Sequence, residues 1–147
     1  MQENGFLLQH EESPETAQIT ELGLVAETTN PSFVVMRANG RFLYAVNEVG
    51  NYKSPNSGGV SAFPIDRATG KLIFLYEVPS RGADPCYITV DKTDKYVLVA
   101  NYTGGSIAVF PILSDGKLGE ASGRLKVVSM TSSEEISGAP GACLRRA

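Results

Sequence analysis

The sequence predicts an all-β protein built from short antiparallel strands. It contains 15 glycines and eight prolines among 147 residues, and no stretch keeps the 3.6-residue apolar periodicity of an amphipathic helix. Short apolar runs are instead divided by turn sequences such as Asn39-Gly40, Thr69-Gly70 and Asp115-Gly116. Because these residues tolerate a positive φ, adjacent runs are expected to pair as hairpins.

Eight apolar runs have the length and residue types of β-strands. They are 32–36, 41–47, 59–65, 71–78, 86–90, 95–101, 106–112 and 117–128. A further run at 19–25 precedes them. It is interpreted as the outer strand of an earlier unit, because it lies before Asn30-Pro31 much as 72–78 lies before Asp84-Pro85.

An internal repeat groups these runs into units of four strands. Residues 30–33 correspond to 84–87, and residues 40–47 correspond to 94–101, both at an offset of 54. An extra stretch at 49–57 in the first copy then lowers the offset to 46 or 47. A four-stranded unit that recurs every ~40 to 50 residues is typical of a β-propeller blade.

The apolar pattern of the second strand in each unit agrees with stacked blades. Phe42, Tyr44 and Val46 would lie on one face of the run 42–46, yet Leu43 and Ala45 on the other face are apolar as well. The run 96–100 has the same pattern. Such strands are expected to be covered on both faces, as sheets between neighbouring blades are. A two-layer sandwich core is the alternative.

The repeat divides the chain into about two and a quarter blades. Residues 14–128 are assigned to a partial propeller, with 14–29 as the outer strand of a preceding blade, 30–79 as one blade and 80–128 as the next. Residues 1–13 are interpreted as an atypical tail and residues 129–147 as an atypical or truncated tail. Blade faces without a neighbour are expected to favour self-association.

Composition excludes several classes of partner. With 13 basic and 16 acidic residues and a net charge of −3, no electrostatic footprint for nucleic acid or an anionic membrane is present. Cys86 and Cys143 are far apart and lack CxxC spacing, which indicates a cytoplasmic protein rather than a disulfide framework. No His, Cys or carboxylate cluster has metal-ligand spacing, so no metal site is expected.

Three segments resemble the lactonase family of seven-bladed propellers, whose best-known members are bacterial-type 6-phosphogluconolactonases. The first is Asn30-Pro31-Ser32-Phe33 followed by residues 40–48. The second combines Gly58-Gly59-Val60-Ser61-Ala62-Phe63 with Ala68-Thr69-Gly70-Lys71-Leu72. The third is Ala83-Asp84-Pro85 running into residues 99–106. The resemblance covers roughly residues 14–128, the amino-terminal part of the family pattern.

The resemblance implies hydrolysis of a phosphorylated sugar lactone, 6-phosphogluconolactone, in the pentose phosphate pathway, with a small-molecule partner and no cofactor. Hydrolysis would use a positioned water, a general base and donors for the oxyanion and phosphate. A carboxymuconate-type lactone cycloisomerase and a non-catalytic propeller fragment are the alternatives. Because 1–13 and 129–147 depart from the family pattern, whether this chain is itself active is left open.

Candidate site residues gather where crossovers between blades meet the loops after the second strands. Glu48 and Asp84 are the catalytic candidates, and Asn47, Arg81, Asn101 and Tyr102 are the substrate-binding candidates. Each has a structural alternative. Glu48 and Arg81 would be exposed loop residues, Asp84 a turn cap, and Asn47 and Asn101 a repeated structural hydrogen bond. Tyr102 is expected to be half packed, with its hydroxyl exposed at the end of the blades where the crossovers lie.

Overall fold

The computed structural model describes residues 4–126, with the backbone alone for Asn4, Phe6 and residues 8–10. The regular structure of this range is entirely β. The strands are β1 (Asn4–Ser13), β2 (Gln18–Thr29), β3 (Pro31–Met36), β4 (Phe42–Asn47), β5 (Gly59–Pro64), β6 (Tyr76–Pro79), β7 (Pro85–Val90), β8 (Tyr96–Asn101), β9 (Ser106–Pro111) and β10 (Gly123–Lys126).

Eight of the strands form two four-stranded antiparallel sheets, which we call blade A (β3–β6) and blade B (β7–β10). In each blade, consecutive strands are neighbours. Both blades also share a detail of register: Pro31 pairs with Asn47 and Pro85 with Asn101, and an irregularity follows each proline. The predicted all-β class with four-stranded repeats is therefore confirmed.

The predicted hairpin turns have the expected backbone conformation. Gly40, Gly70 and Gly116 have φ values of 65°, 71° and 84°, which L-residues with a side chain rarely adopt. These glycines close the connections 37–41, 66–70 and 113–117. The turn residues therefore fix where each strand ends.

Residues 4–13, assigned to a tail from the sequence, form β1 and pair with β2 as a hairpin. A Cβ atom on Gly5 would lie 2.0 Å from Cδ of Pro31, and one on Gly58 would lie 2.2 Å from Cδ of Pro85. Since Gly58 immediately precedes the third strand of blade A, β1 and β2 correspond to the third and outer strands of a preceding unit. The polar sequence of β1 concealed this strand.

The outer strands are shorter than the runs 71–78 and 117–128 that were predicted. β6 comprises Tyr76–Pro79 and β10 comprises Gly123–Lys126. Before them the chain forms no continuous ladder with its neighbour. It makes isolated bridges, Ile65 to Leu72 and Ile112 to Leu118, and separate backbone hydrogen bonds such as those from the Leu75 and Gly119 amides. The backbone there is held out of the regular ladder, so apolar periodicity overestimated the strand length. Residues 127 and 128 lie outside the described range.

The hydrophobic core lies between the two blades. Blade A contributes buried side chains from one face of β4 and β5, and the facing blade contributes side chains from β7, β8 and β9. The cluster comprises Tyr44, Val46, Val60, Ala62, Val78, Ile88, Val97, Val99, Ala108, Phe110 and Leu118. Burial of apolar surface between stacked sheets is therefore the main stabilising contribution.

Polar contacts join the blades at the end opposite the crossovers. Nη2 of Arg37 lies 2.6 Å from Oδ2 of Asp94, and this hydrogen bond raises the pKa of Arg37. The Tyr44 hydroxyl donates to the carbonyl of Gly116 at 2.9 Å. Burial raises the pKa of Tyr44 to about 12. These contacts fix the relative position of the two sheets.

The prediction that both second strands are covered on two faces holds for β4 and is wrong for β8. Tyr44, Ala45, Val46 and Asn47 are all fully buried. In β8, Val97 and Val99 face the core, whereas Tyr96 is 42% exposed. No element of the described residues covers the outer face of blade B. Its apolar residues therefore remain accessible.

Candidate functional site

The start of each blade has the same strained turn. Asn30 and Asp84 precede the prolines that open β3 and β7 and have positive φ values of 37° and 53°. Asn and Asp tolerate this conformation better than most residues. The Asn30 carbonyl accepts from the Glu48 amide at 3.0 Å, and the Asp84 carbonyl accepts from the Tyr102 amide at 2.8 Å. Glu48 and Tyr102 therefore occupy equivalent positions.

A direct backbone link brings the catalytic candidates to one edge of the molecule. The Asp84 amide donates to the Val49 carbonyl at 3.2 Å. Oδ1 of Asp84 lies 3.8 Å from the position that a Cβ atom on Gly50 would take. The segment that immediately follows Glu48 thus borders the Asp84 carboxylate. We call this region, formed by residues 30, 48–50, 84 and 102, the mouth.

Asn47 and Asn101 lie beneath the mouth and brace the crossovers. Asn47 is fully buried, and its Nδ2 donates to the Thr29 carbonyl at 2.6 Å and to Oγ1 of Thr28 at 2.7 Å. Asn101 is 3% exposed, and its Nδ2 donates to the Ser80 carbonyl at 3.1 Å. Both side chains tie the end of a second strand to the preceding unit, which is the repeated structural role considered from the sequence.

The two asparagines differ at their oxygen atoms. Oδ1 of Asn47 accepts from the Ser61 hydroxyl at 2.8 Å. Oδ1 of Asn101 is buried and has no hydrogen-bond partner among the described residues. Ser61 pairs with Ala45, and Ala108 pairs with Val99 at the corresponding place in blade B. Replacement of the serine by alanine in the second copy removes the donor.

Arg81 and Tyr102 are both exposed, but they lie in different surroundings. Arg81 has a φ of 63°, and its amide donates to Oγ of Ser57 at 3.1 Å. Its side chain lines cavities beside the outer strands, with Pro79 and Arg124, rather than the mouth. Tyr102 is 79% exposed, which is more open than the half-packed side chain expected from the sequence.

The extra stretch at 49–57 is fixed by an aromatic side chain. Tyr52 is 7% exposed, and a Cβ atom on Gly59 would lie 2.5 Å from Cδ1 of its ring. The Tyr52 hydroxyl donates to Oε2 of Glu77 at 2.5 Å, and Nζ of Lys53 pairs with Oε1 of the same carboxylate. The stretch therefore forms a fixed wall beside the mouth.

The repeat contained signals for residues that the sequence analysis missed. Asp84 corresponds to Asn30 at an offset of 54. The repeat therefore could have identified Asn30 as the equivalent turn residue of blade A. Tyr52 had no such signal, because it lies in the stretch that only blade A contains. Its role depends on the space above Gly59, which becomes apparent only in three dimensions.

The described residues offer neither a metal-binding cluster nor a helix that could span a membrane. Across residues 4–126, no group of three or more His, Cys, Asp or Glu residues is placed to hold a metal ion. Over the same range, no helix has the length and apolar character needed to cross a membrane. The Cys86 thiol lies 3.7 Å from the Ala100 carbonyl, and Cys143 lies outside the described residues.

The stacked four-stranded sheets, with their repeated crossovers and common mouth, define a β-propeller architecture. The family model described as Lactonase, 7-bladed beta-propeller, matches residues 2–136. The chain therefore belongs to this family of seven-bladed propeller lactonases, as the sequence resemblance indicated.

Two curated relatives carry the name 6-phosphogluconolactonase. The protein of Bacillus subtilis is 36% identical over 104 residues, which covers 71% of this chain and 28% of the relative. The protein of Formosa agariphila is 33% identical over 97 residues, covering 66% of this chain and 27% of the relative. The chain thus spans less than a third of the length of these relatives.

Solved structures are also similar to most of this chain, which again covers about a third of each of them. A candidate 6-phosphogluconolactonase of Bacteroides fragilis superposes with a TM-score of 0.71 at 39% identity, covering 81% of this chain and 32% of that one. The periplasmic gluconolactonase PpgL of Pseudomonas aeruginosa gives a TM-score of 0.68 at 27% identity, covering 79% and 33%. Both similarities extend over most of this chain.

Proposed function

We propose that this chain functions in the hydrolysis of a phosphorylated sugar lactone of the 6-phosphogluconolactone type. The observation that carries the proposal is membership of the lactonase family, together with relatives named 6-phosphogluconolactonase. The mouth supplies the polar groups that such a reaction requires. It contains two carboxylate residues, Glu48 and Asp84, at the same edge of the molecule. The Asp84 amide donates to the carbonyl of Val49, the residue that follows Glu48.

The proposed chemistry is the addition of water to the lactone carbonyl. A carboxylate of the mouth would accept the proton of the attacking water, and the ring oxygen would leave with a proton as the ring opens. Asp84 is the proposed base, since the backbone hydrogen bonds on both sides of it fix its position. The exposed Tyr102 hydroxyl is the proposed donor to the developing oxyanion. Asn47 and Asn101 would act by holding these turns.

We further propose that the chain acts in the cytoplasm, as a step of the pentose phosphate pathway. The widely separated cysteines support a reducing compartment. The similar PpgL structure is described as periplasmic, so the periplasm is the competing location to be tested. Fractionation of the source cells, with this chain detected by antibody, tests the proposed location, and recovery outside the cytoplasm would contradict it.

The test of the activity is the rate of 6-phosphogluconolactone hydrolysis, with spontaneous hydrolysis subtracted. The chain is expected to accelerate ring opening, and Asp84→Asn is expected to lower the rate about 100-fold, the usual contribution of a general base. Asp115→Asn removes a carboxylate at the opposite end of blade B and is the matched control. A rate equal to spontaneous hydrolysis for the unaltered chain would reject the enzymatic proposal and favour a non-catalytic propeller.

A further inference from the structure

We propose that a polar pocket at the outer edge of the crossover end binds a phosphate monoester through Arg81 and Arg124. This rim pocket lies between the extra stretch of blade A and the outer strand of blade B, and its volume is 290 Å³. Its lining comprises Ser54, Pro55, Asn56, Ser57, Pro79, Arg81 and Arg124. The proposal concerns binding and does not depend on lactone hydrolysis.

The charge of the rim pocket favours an anion. Two arginines are among its lining residues, and no aspartate or glutamate is. Among residues 4–126, the ion pairs join Arg37 to Asp94, Lys53 to Glu77 and Lys117 to Asp115, so neither pocket arginine is neutralised by an acid. The chain as a whole has a net charge of −3. The positive character of this pocket is therefore local.

The donor types favour phosphate. Guanidinium groups offer planar pairs of N–H donors that match the oxygens of phosphate, and two of them balance a dianion. Ser54 and Asn56 also line the pocket and carry neutral donors. At about 30 Å³ for each water molecule, the pocket has room for a phosphoryl group with part of the molecule that carries it.

The crossover and the extra stretch, two of the three segments that line the pocket, are held in place. Arg81 has a φ of 63°, and its amide donates to Oγ of the buried Ser57, whose hydroxyl donates in turn to the Gly58 carbonyl at 2.9 Å. On the other wall, the Asn56 amide donates to Oδ1 of Asn51 at 2.9 Å. The ring of Tyr52 fixes the same stretch against Gly59. A preorganised pocket loses less entropy when it binds a ligand.

A second cavity is also lined by Arg81, and a glutamate is among its other lining residues. Glu120 lines a separate cavity of 140 Å³ together with Arg81 and Phe110. No ion pair joins Glu120 to Arg81 within the part of the chain that the structure describes. The arginine therefore separates the two cavities and remains available to a ligand in the rim pocket.

A second pair of arginines provides a matched comparison. Arg41 and Arg67 line a pocket of 420 Å³ at the opposite end of the blades. The other residues there include Phe42, Pro64 and Ile65, and the carboxylates of Asp66 and Asp115 are adjacent in sequence to lining residues. Arg41 and Arg67 carry the same total charge as Arg81 and Arg124, but they lie among more apolar residues and closer in sequence to carboxylates. They therefore serve as the control.

The test is titration of the full chain with inorganic phosphate at constant ionic strength, followed through backbone amide chemical shifts. Saturable shifts are expected at Asn56, Ser57 and Arg81. The double variant R81Q/R124Q is expected to bind phosphate about tenfold or more weakly, because charge-assisted hydrogen bonds are lost. The variant R41Q/R67Q makes the same change in net charge and is expected to stay within about twofold of the unaltered chain.

Further arms of the experiment separate phosphate recognition from general anion binding. 6-Phosphogluconate is expected to displace inorganic phosphate from the rim pocket, and gluconate, which has only the carboxylate, is not. The R81K/R124K variant keeps the charge and is expected to retain part of the affinity, and its amide spectrum reports on folding. Equal losses in both glutamine variants, equal competition by gluconate, or no saturable shift would overturn the proposal.

Discussion

A Cβ atom added to Gly58 would lie only 2.2 Å from Cδ of Pro85. Gly5 and Pro31 have the same relationship one unit earlier, at 2.0 Å. In both places the chain at or just before a third strand passes directly over the proline that opens the next inner strand. The close approach allows the crossover to lie against the sheet, which in turn positions Asp84 at the mouth.

Gly58→Ala is expected to lower the free energy of unfolding by about 1 to 3 kcal/mol, the usual cost of overpacking a rigid contact. The added methyl group would meet the Pro85 ring and the Asn47 carbonyl, and neither is a flexible chain end. Gly123→Ala is the control, because nothing lies within 4 Å of its Cβ position. Chemical denaturation measures both variants, and equal stability in the two would contradict the close approach.

Exchange of serine and alanine between the blades tests the asparagine contacts. Ser61→Ala removes the donor to Oδ1 of Asn47 and is expected to cost about 1 to 3 kcal/mol, because a buried acceptor is left unpaired. Ala108→Ser places a hydroxyl at the equivalent position beside the unpaired Oδ1 of Asn101 and is expected to raise stability. Thermal melting compares the two changes. A loss of stability in both would show that the sites are not equivalent.

Tyr44 is expected to make folding sensitive to alkaline pH. Burial raises its pKa to about 12 in the folded chain, whereas an unfolded tyrosine titrates near ~10. The protonated form therefore stabilises the fold fully below pH ~10, and this contribution is lost as the pH rises through about 12. Its slope is about 1.4 kcal/mol per pH unit.

The phenol absorbance at high pH provides the measurement for Tyr44. The chain contains six tyrosines, and one of them is expected to ionise with a pKa near 12. Tyr44→Phe should remove that transition and reduce the dependence of unfolding free energy on pH above ~10. An unchanged titration curve in this variant would assign the late transition to another tyrosine and refute the prediction.

The outer face of blade B is expected to drive self-association. Tyr96 and Leu125 are 42% and 68% exposed, and exposed apolar surface of this kind favours association. Light scattering is expected to show a mass that rises with concentration, and Tyr96→Lys is expected to reduce it. Tyr102→Lys makes the same change at the mouth and serves as the control. A concentration-independent monomer would contradict this expectation.

The sequence was sufficient for the class of fold because residues 30–47 correspond to residues 84–101 without a gap. That correspondence also anticipated the shared structural role of Asn47 and Asn101. Outer strands were harder to predict, since the chain around Leu72 and Leu118 keeps apolar periodicity while leaving the ladder. The apolar run of β1 is only Phe6-Leu7-Leu8, which is too short to predict a ten-residue strand, so its pairing with β2 was missed.

The candidate site was predicted only in part. The blade topology correctly predicted that Glu48, Asp84 and Tyr102 lie at one end of the blades, and their roles in catalysis or binding stay predictions. The position of the Arg81 side chain away from the mouth could not be predicted from the sequence. It follows from a positive φ and from a contact with Ser57 in the extra stretch. The place of Tyr52 above Gly59 likewise depends on packing between segments that no local pattern connects.

Both blades repeat one crossover geometry and thereby form the mouth. Amide hydrogen exchange at Glu48 and Tyr102 tests it most directly, since these amides donate to Asn30 and Asp84 at equivalent places. Both amides are expected to exchange more than about 100-fold slower than in an unfolded chain. Exchange of either amide at the unfolded rate would contradict the claim.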